Sequence, residues 1–257
     1  MWRNVRIAFL LLILGVAAWS NWYDRLSTTD WDETLYIGVF PVDETENPVA
    51  RDYIERLSAN RIADIEKFLN EEARGYGIGI ARPVSVELYP PVAERPPERA
   101  ANSNVLQNMW WSLKLRMYAR RAARASGKPP PQVRIFVLYH DPAFSQTVPH
   151  SVGMQKGLVG VVHAFAAAGM TRTNNVVIAH EILHTLGASD KYDPDTLAPL
   201  YPIGYAEPDR APRYPQSFTE IMAGRSAVDA STFEIPESLD EVVVGDTTAL
   251  EIRWIRK

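Results

Sequence analysis

His180-Glu181-Ile182-Leu183-His184-Thr185-Leu186-Gly187-Ala188-Ser189-Asp190 (HEILHTLGASD, 180–190) decides how the rest of the chain is read. On a helix, positions i and i+4 lie one above the other on the same face, so His180 and His184 project side by side. Two imidazoles so placed can bind one Zn²⁺ at about 2.0–2.1 Å each. Glu181 is rotated by about 100° from His180, near the ion but off the ligand row. That is where a general base for an attacking water belongs. Val176, Val177, Ile178, Ile182, Leu183 and Leu186 give the helix an apolar body, so the polar stripe is expected to be buried. A buried His-Glu-His cluster needs a compensating partner, and a metal ion supplies one. The plainer alternative is a pair of hydrogen-bonded core histidines beside a surface glutamate.

Zn²⁺ held by two helical histidines takes a third protein ligand and leaves a fourth position open to water. The chain has no cysteine, so that ligand is His, Asp or Glu, and disulfides and a thiol nucleophile are excluded. Gly187 permits a sharp turn, and Asp190 follows His184 by six residues, close enough to reach back. Asp193 and Asp195 are rivals on the same loop, although Asp in such stretches ordinarily serves turn formation. In a second zincin layout the third ligand comes from farther along the chain, and Glu207 or Glu220 would serve.

H-E-x-x-H-x-x-G-x-x-D, with Asp190 at its last position, resembles the motif of the metzincin zinc endopeptidases. The usual third ligand of that clan is His, and an Asp variant occurs in small secreted bacterial members of the snapalysin type. The resemblance implies an α/β (α+β), zincin/metzincin-like fold: a mixed sheet with long helices, an active-site helix and a loop-rich C-terminal subdomain. It implies a methionine turn below the metal, for which Thr219 to Gly224 (TEIMAG) is the match and Met222 the apolar floor. It also implies an edge strand that holds the substrate backbone, expected by analogy in the region Gly157 to Phe165. The Tyr that some members carry just after the Met is absent, since Gly224 and Arg225 stand there. Tyr201, Tyr205, Tyr214 and Arg225 are then the candidates for stabilising the transition state. The resemblance covers 180–190 and 219–224; the remainder of the chain matches no named peptidase.

Outward from the motif, the chain reads as alternating strands and helices. Leu35 to Val42 (LYIGVFPV) and Val84 to Tyr89 (VSVELY) have strand patterns, and Val133 to Tyr139 (VRIFVLY) reads as a central strand. Asn47-Pro48 opens a helix whose apolar positions Tyr53, Leu57, Ile62, Ile65, Phe68 and Leu69 run to about Ala73. Pro90 to Arg99 reads as a Pro-rich loop, and a helix from about Asn104 to Ala125 follows. Its Lys114, Arg116, Arg120, Arg121 and Arg124 fit a solvated basic face, with contact to anionic lipid head groups as the functional alternative. Asn174 or Asn175 is expected to cap the motif helix and Gly187 to end it in the left-handed conformation. Two further helical pieces are expected around Ser238 to Val244 and Thr247 to Ile255. Of the remaining histidines, His140, His150 and His163 fit structural roles, His163 being the best placed to line a cleft.

The chain has 257 residues, with 46% hydrophobic and 23% charged, as a globular core requires. A net charge of −4 gives no reason to expect nucleic-acid binding. Arg3 and Arg6 precede an uncharged apolar run, Ile7 to Trp19, which as a helix spans roughly 20 Å, short of a bilayer core of roughly 30 Å. It fits a signal-peptide core or a short signal anchor with Trp19, Trp22 and Tyr23 at the interface. Either reading exports the rest of the chain. The expected divisions are 1–33 as anchor or signal plus linker, 34–187 as the upper subdomain and 188–257 as the C-terminal subdomain. The expected partner is a peptide or protein substrate, and the expected location is the cell envelope, membrane-anchored through 7–19 or secreted. A non-catalytic envelope protein that binds zinc is the rival from another class, although an intact Glu181 argues against a purely structural site.

Overall fold

Strand β1 (Leu35–Val42) forms as its β-branched and aromatic run predicts, and it sits beside the center of a five-stranded sheet. The computed structural model describes residues 6–7, 15, 28–43, 48–100, 103–144, 151–155 and 157–255. Along the chain follow α1 (Pro48–Glu55), α2 (Ala63–Gly75), β2 (Val84–Leu88), α3 (Val105–Ala125), β3 (Val133–His140), β4 (Val152–Met154), β5 (Val159–Phe165) and α4 (Thr171–Leu186). The C-terminal part contributes the short strands β6 (Thr219–Glu220), β7 (Ser226–Ala227), β8 (Phe233–Glu234) and β9 (Val242–Val243), and helix α5 (Asp246–Glu251).

The sheet order is β2-β1-β3-β5-β4. The first four strands are parallel, and β4 is antiparallel to β5. The fold is therefore mixed α/β with a mostly parallel sheet. The two-residue period of a strand divides the core. Ile135 and Val137 of β3 face one cluster, with Ile54 of α1, Ile65 of α2 and Ile178 of α4. Phe136 and Leu138 face a second cluster, with Leu115 and Tyr118 of α3. Helix α3 thus covers one face of the sheet, and α1, α2 and α4 cover the other.

Several expectations are corrected. The single helix from Pro48 is two helices separated by a 3-10 turn at Ala59–Arg61, while its expected cap, Asn47, lies outside the described residues. The step of five from Leu57 to Ile62 throws the apolar face out of helical phase, so the chain breaks and restarts. The motif helix begins at Thr171, not at Asn174 or Asn175. The Asn174 side chain instead hydrogen-bonds the N–H and C=O of Phe165, and Asn175 donates to the carbonyl of Arg61. The piece expected around Ser238 is a 3-10 turn, Leu239–Glu241, leading into β9, and the last helix spans only Asp246–Glu251. Met222, Val242 and Trp254, from beyond Gly187, join the same core cluster as Ile135 and Ile178. The expected linker ends inside the fold, where Trp31 is buried, donates to the carbonyl of Ile252 at 2.9 Å and packs edge-on against Trp254. The apolar run 7–19 lies largely outside the described residues, among which no helix is long and apolar enough to cross a membrane.

Candidate metal centre

Helix α4 brings His180, Glu181 and His184 together as the four-residue spacing requires, with ligand atoms within 4.8 Å of one another. The two imidazoles meet edge to face at 84°, with ring centroids 4.6 Å apart. Gly187 ends the helix at φ 110°, a left-handed conformation that costs glycine little. The chain then doubles back, and one carboxylate oxygen, Asp190 Oδ1, lies 3.3 Å from His180 Nε2 and 3.1 Å from His184 Nε2.

The opposite ring nitrogens are tied to the backbone. His180 Nδ1 is 2.9 Å from the carbonyl of Ile221, and His184 Nδ1 is 2.8 Å from that of Ala188. A carbonyl only accepts, so each Nδ1 carries the hydrogen and each Nε2 directs its remaining valence at Asp190. Such outer contacts fix ring orientation and tautomer at metal sites. The carbonyl that holds His180 belongs to the buried 3-10 turn Ile221–Ala223, closed by Gly224 at φ 68°. Met222 is fully buried in that turn, and its carbonyl accepts from the Lys191 N–H at 2.9 Å, tying the turn to the Asp190 loop.

Burial raises the Glu181 carboxyl above its ordinary value; the two imidazoles and the Gly153 backbone pull it back, and Asp190 adds to the rise. Glu181 Oε2 is buried with no hydrogen-bond partner among the described residues. Burial pushes His184 down, yet its bond to Asp190, the Glu181 charge and the Ala188 carbonyl outweigh it, so the imidazole is raised overall. Burial raises Asp190, but the two imidazoles overcome it and hold the carboxyl well below the usual range. Two Nε2 atoms that offer lone pairs once deprotonated, a carboxylate and an unpartnered buried carboxylate oxygen form a pocket that attracts positive charge. That donor set fits Zn²⁺ with three protein ligands.

The rival ligands are committed elsewhere. Asp193 Oδ1 accepts from Asp195 and Thr196 in a local turn. Glu207 pairs with Arg210 and accepts from the Ser217 N–H. Glu220 is buried and accepts from the N–H groups of Ala223 and Gly245 and from the Thr248 hydroxyl. None of these three, nor Asp195, lines the cleft around the histidines.

That cleft has a volume of about 450 Å³, and its walls include Val176, Val177, Leu197 and Ile235. Arg225 lines it; Tyr201, Tyr205 and Tyr214 do not. Those tyrosines form their own cluster, with Tyr205 and Tyr214 hydroxyls 3.3 Å apart and Arg213 over the Tyr201 ring. Tyr192, which sequence reasoning passed over, does line the cleft, and its phenol is raised first by burial and then by the Asp190 and Glu181 charges. Its only sequence signal was proximity to Asp190.

The edge strand also differs from expectation. β5 is interior, paired to β3 on one side and β4 on the other, so β4 is the edge. Gly153 of β4 lies against α4 so closely that a Cβ there would stand 2.7 Å from the carbonyl oxygen of Glu181. His163 does not line the cleft. It pairs with His140 at 2.8 Å, and burial, then the His140 and Arg95 charges, push it down to about 4. His150 lies outside the described residues.

Glu251 of α5 grips the chain on both sides of Asp190. It accepts from the Ser189 N–H at 2.9 Å, the Ser189 hydroxyl at 2.7 Å and the buried Lys191 ammonium at 2.7 Å.

No family model and no curated protein matches the chain. Among solved structures the chain is similar to one described as "Structure of a chaperone-substrate complex". The TM-score is 0.41 and the identity 11%, over 87% of this chain and 35% of that one.

Proposed function

We propose that the protein is a zinc-dependent peptidase of metzincin-like layout, hydrolysing peptide bonds outside the cytoplasm, in the cell envelope. The observation that carries this reading is the convergence of His180 Nε2 and His184 Nε2 on one oxygen of Asp190, with buried Glu181 alongside. His180, His184 and Asp190 would hold Zn²⁺, and the turn bearing Met222 would be its methionine turn. When bound there, the ion supplies a Lewis acid, which lowers the pKa of water from 15.7 to about 7 and polarises a scissile carbonyl.

The chain's own groups do the rest. Glu181 takes the proton of the attacking water and passes it to the leaving amine. β4, the edge strand among the described residues, would offer backbone groups to an extended substrate strand, the ordinary mode of β-augmentation. Val176, Val177, Leu197 and Ile235 give the cleft apolar walls against which a substrate side chain would pack.

A peptide library incubated with the purified protein, with and without a chelator, tests the reading. Cleavage is expected, lost with chelator and restored by Zn²⁺. Bound zinc without cleavage of any peptide would favour the non-catalytic binding protein, and cleavage indifferent to chelation would contradict the metal role.

A further inference from the structure

Helix α3 carries a face that the other described residues leave uncovered. No residue from Val105 to Lys114 is buried; the helix first enters the core at Leu115. Val105, Leu106, Met109, Trp110, Leu113 and Met117 are all between 44% and 75% exposed. At 100° per residue they fall on one arc about 140° wide, centred near Leu113. A contiguous apolar surface of this kind on a soluble domain marks a binding face.

The chemistry of the same helix says what it binds. Its 21 residues include no Asp or Glu and five bases, Lys114, Arg116, Arg120, Arg121 and Arg124. Arg120 and Arg124 are exposed and continue the apolar arc toward the C-terminus. Arg121 is shared with Glu94 at 3.1 Å. The Lys114 ammonium lies 5.6 Å from the Trp110 ring, so its stem runs along apolar surface while its charge reaches outward. An apolar stripe with an indole, on a helix that carries cations and no anions of its own, matches the boundary of an anionic bilayer, where acyl chains meet negative head groups.

We infer that α3 docks on an anionic membrane surface, seating Leu106, Met109, Trp110 and Leu113 at the acyl boundary and Arg120 and Arg124 among the head groups. Because α3 and α4 lie on opposite faces of the sheet, a bilayer against α3 leaves the α4 cleft uncovered. The inference does not depend on the peptidase reading.

The absence of cysteine makes the test direct. The full chain carrying Leu106→Cys, labelled with an environment-sensitive fluorophore, is mixed with phosphatidylcholine vesicles with or without phosphatidylglycerol. The same label at exposed Arg56→Cys is the control. The account expects a blue shift and quenching by brominated lipid at position 106 only, and only with phosphatidylglycerol present. Arg120→Ala with Arg124→Ala should weaken docking roughly thirtyfold, from about 1 kcal/mol per basic residue near such a surface. No response with either vesicle would overturn the inference, as would an equal response with both. A blue shift without lipid that grows with protein concentration would overturn it in favour of a second copy covering the face.

Discussion

Each imidazole of the centre is fixed at Nδ1 by a backbone carbonyl and sets its Nε2 within 3.3 Å of Asp190 Oδ1. Glu181, by contrast, keeps one buried oxygen without a partner. In the proposed mechanism that asymmetry is what sets the two ligands apart from the base. Glu181→Gln is expected to bind zinc as the parent does and to lose roughly 10²–10⁴-fold in kcat, the usual range for a general base. Parallel metal analysis and peptide kinetics check this, and parent-like cleavage would remove Glu181 from the mechanism. Asp190→Ala is expected to weaken zinc binding beyond the roughly 10–100-fold typical of an outer partner. Glu207→Ala, whose carboxylate is engaged with Arg210 and Ser217, is expected to leave it unchanged. Competition with a chromophoric chelator measures both.

At the scale of elements, the long periodic pieces were legible and the short ones were not. α3, expected from about Asn104, and the apolar strands β1 and β3 announce themselves by pattern. The motif helix and its Gly187 turn do so by spacing. Strand β4 does not, because three residues, Val152-Gly153-Met154, hold no periodicity, and pairing with β5 makes them a strand. The same holds for β6 with β9, where tertiary contact decides. Asp190 was legible because a glycine turn limits where the chain goes next, whereas Tyr192 joins the cleft only through the fold of its loop. Gly153 is the residue whose meaning appeared only in three dimensions. Gly153→Ala would set a Cβ 2.5 Å from the His184 Cβ, an overlap expected to cost about 1–3 kcal/mol in thermal or denaturant unfolding. It would also displace the ligand helix from the sheet edge. A variant as stable as the parent would contradict this close approach.

Across the whole molecule, α5 near the C-terminus supports the motif loop through Glu251, which clamps Ser189 and Lys191 on either side of Asp190. Burial raises the Glu251 carboxyl, but its bonds to Lys191 and Ser189 prevail and hold it below 4.5. A carboxyl depressed on folding stabilises the protein above its unfolded value, and that contribution fades as pH falls through the folded value. Glu251→Gln is therefore expected to be less stable at neutral pH and to lose less stability on acidification than the parent. The loss should be smaller than the roughly 3–5 kcal/mol of a fully buried pair, since Glu251 remains partly in water. Urea unfolding from pH 7 to 3 checks both, and superimposable pH profiles would contradict the clamp. The central claim, that His180, His184 and Asp190 close around a single ion, is tested most directly by zinc-edge X-ray absorption on the purified protein. The account predicts one zinc per chain with two imidazole nitrogens at about 2.0–2.1 Å and carboxylate oxygen at about 2.0–2.2 Å. A zinc shell without imidazole scattering, or full zinc occupancy in a His180→Ala, His184→Ala protein, would contradict it.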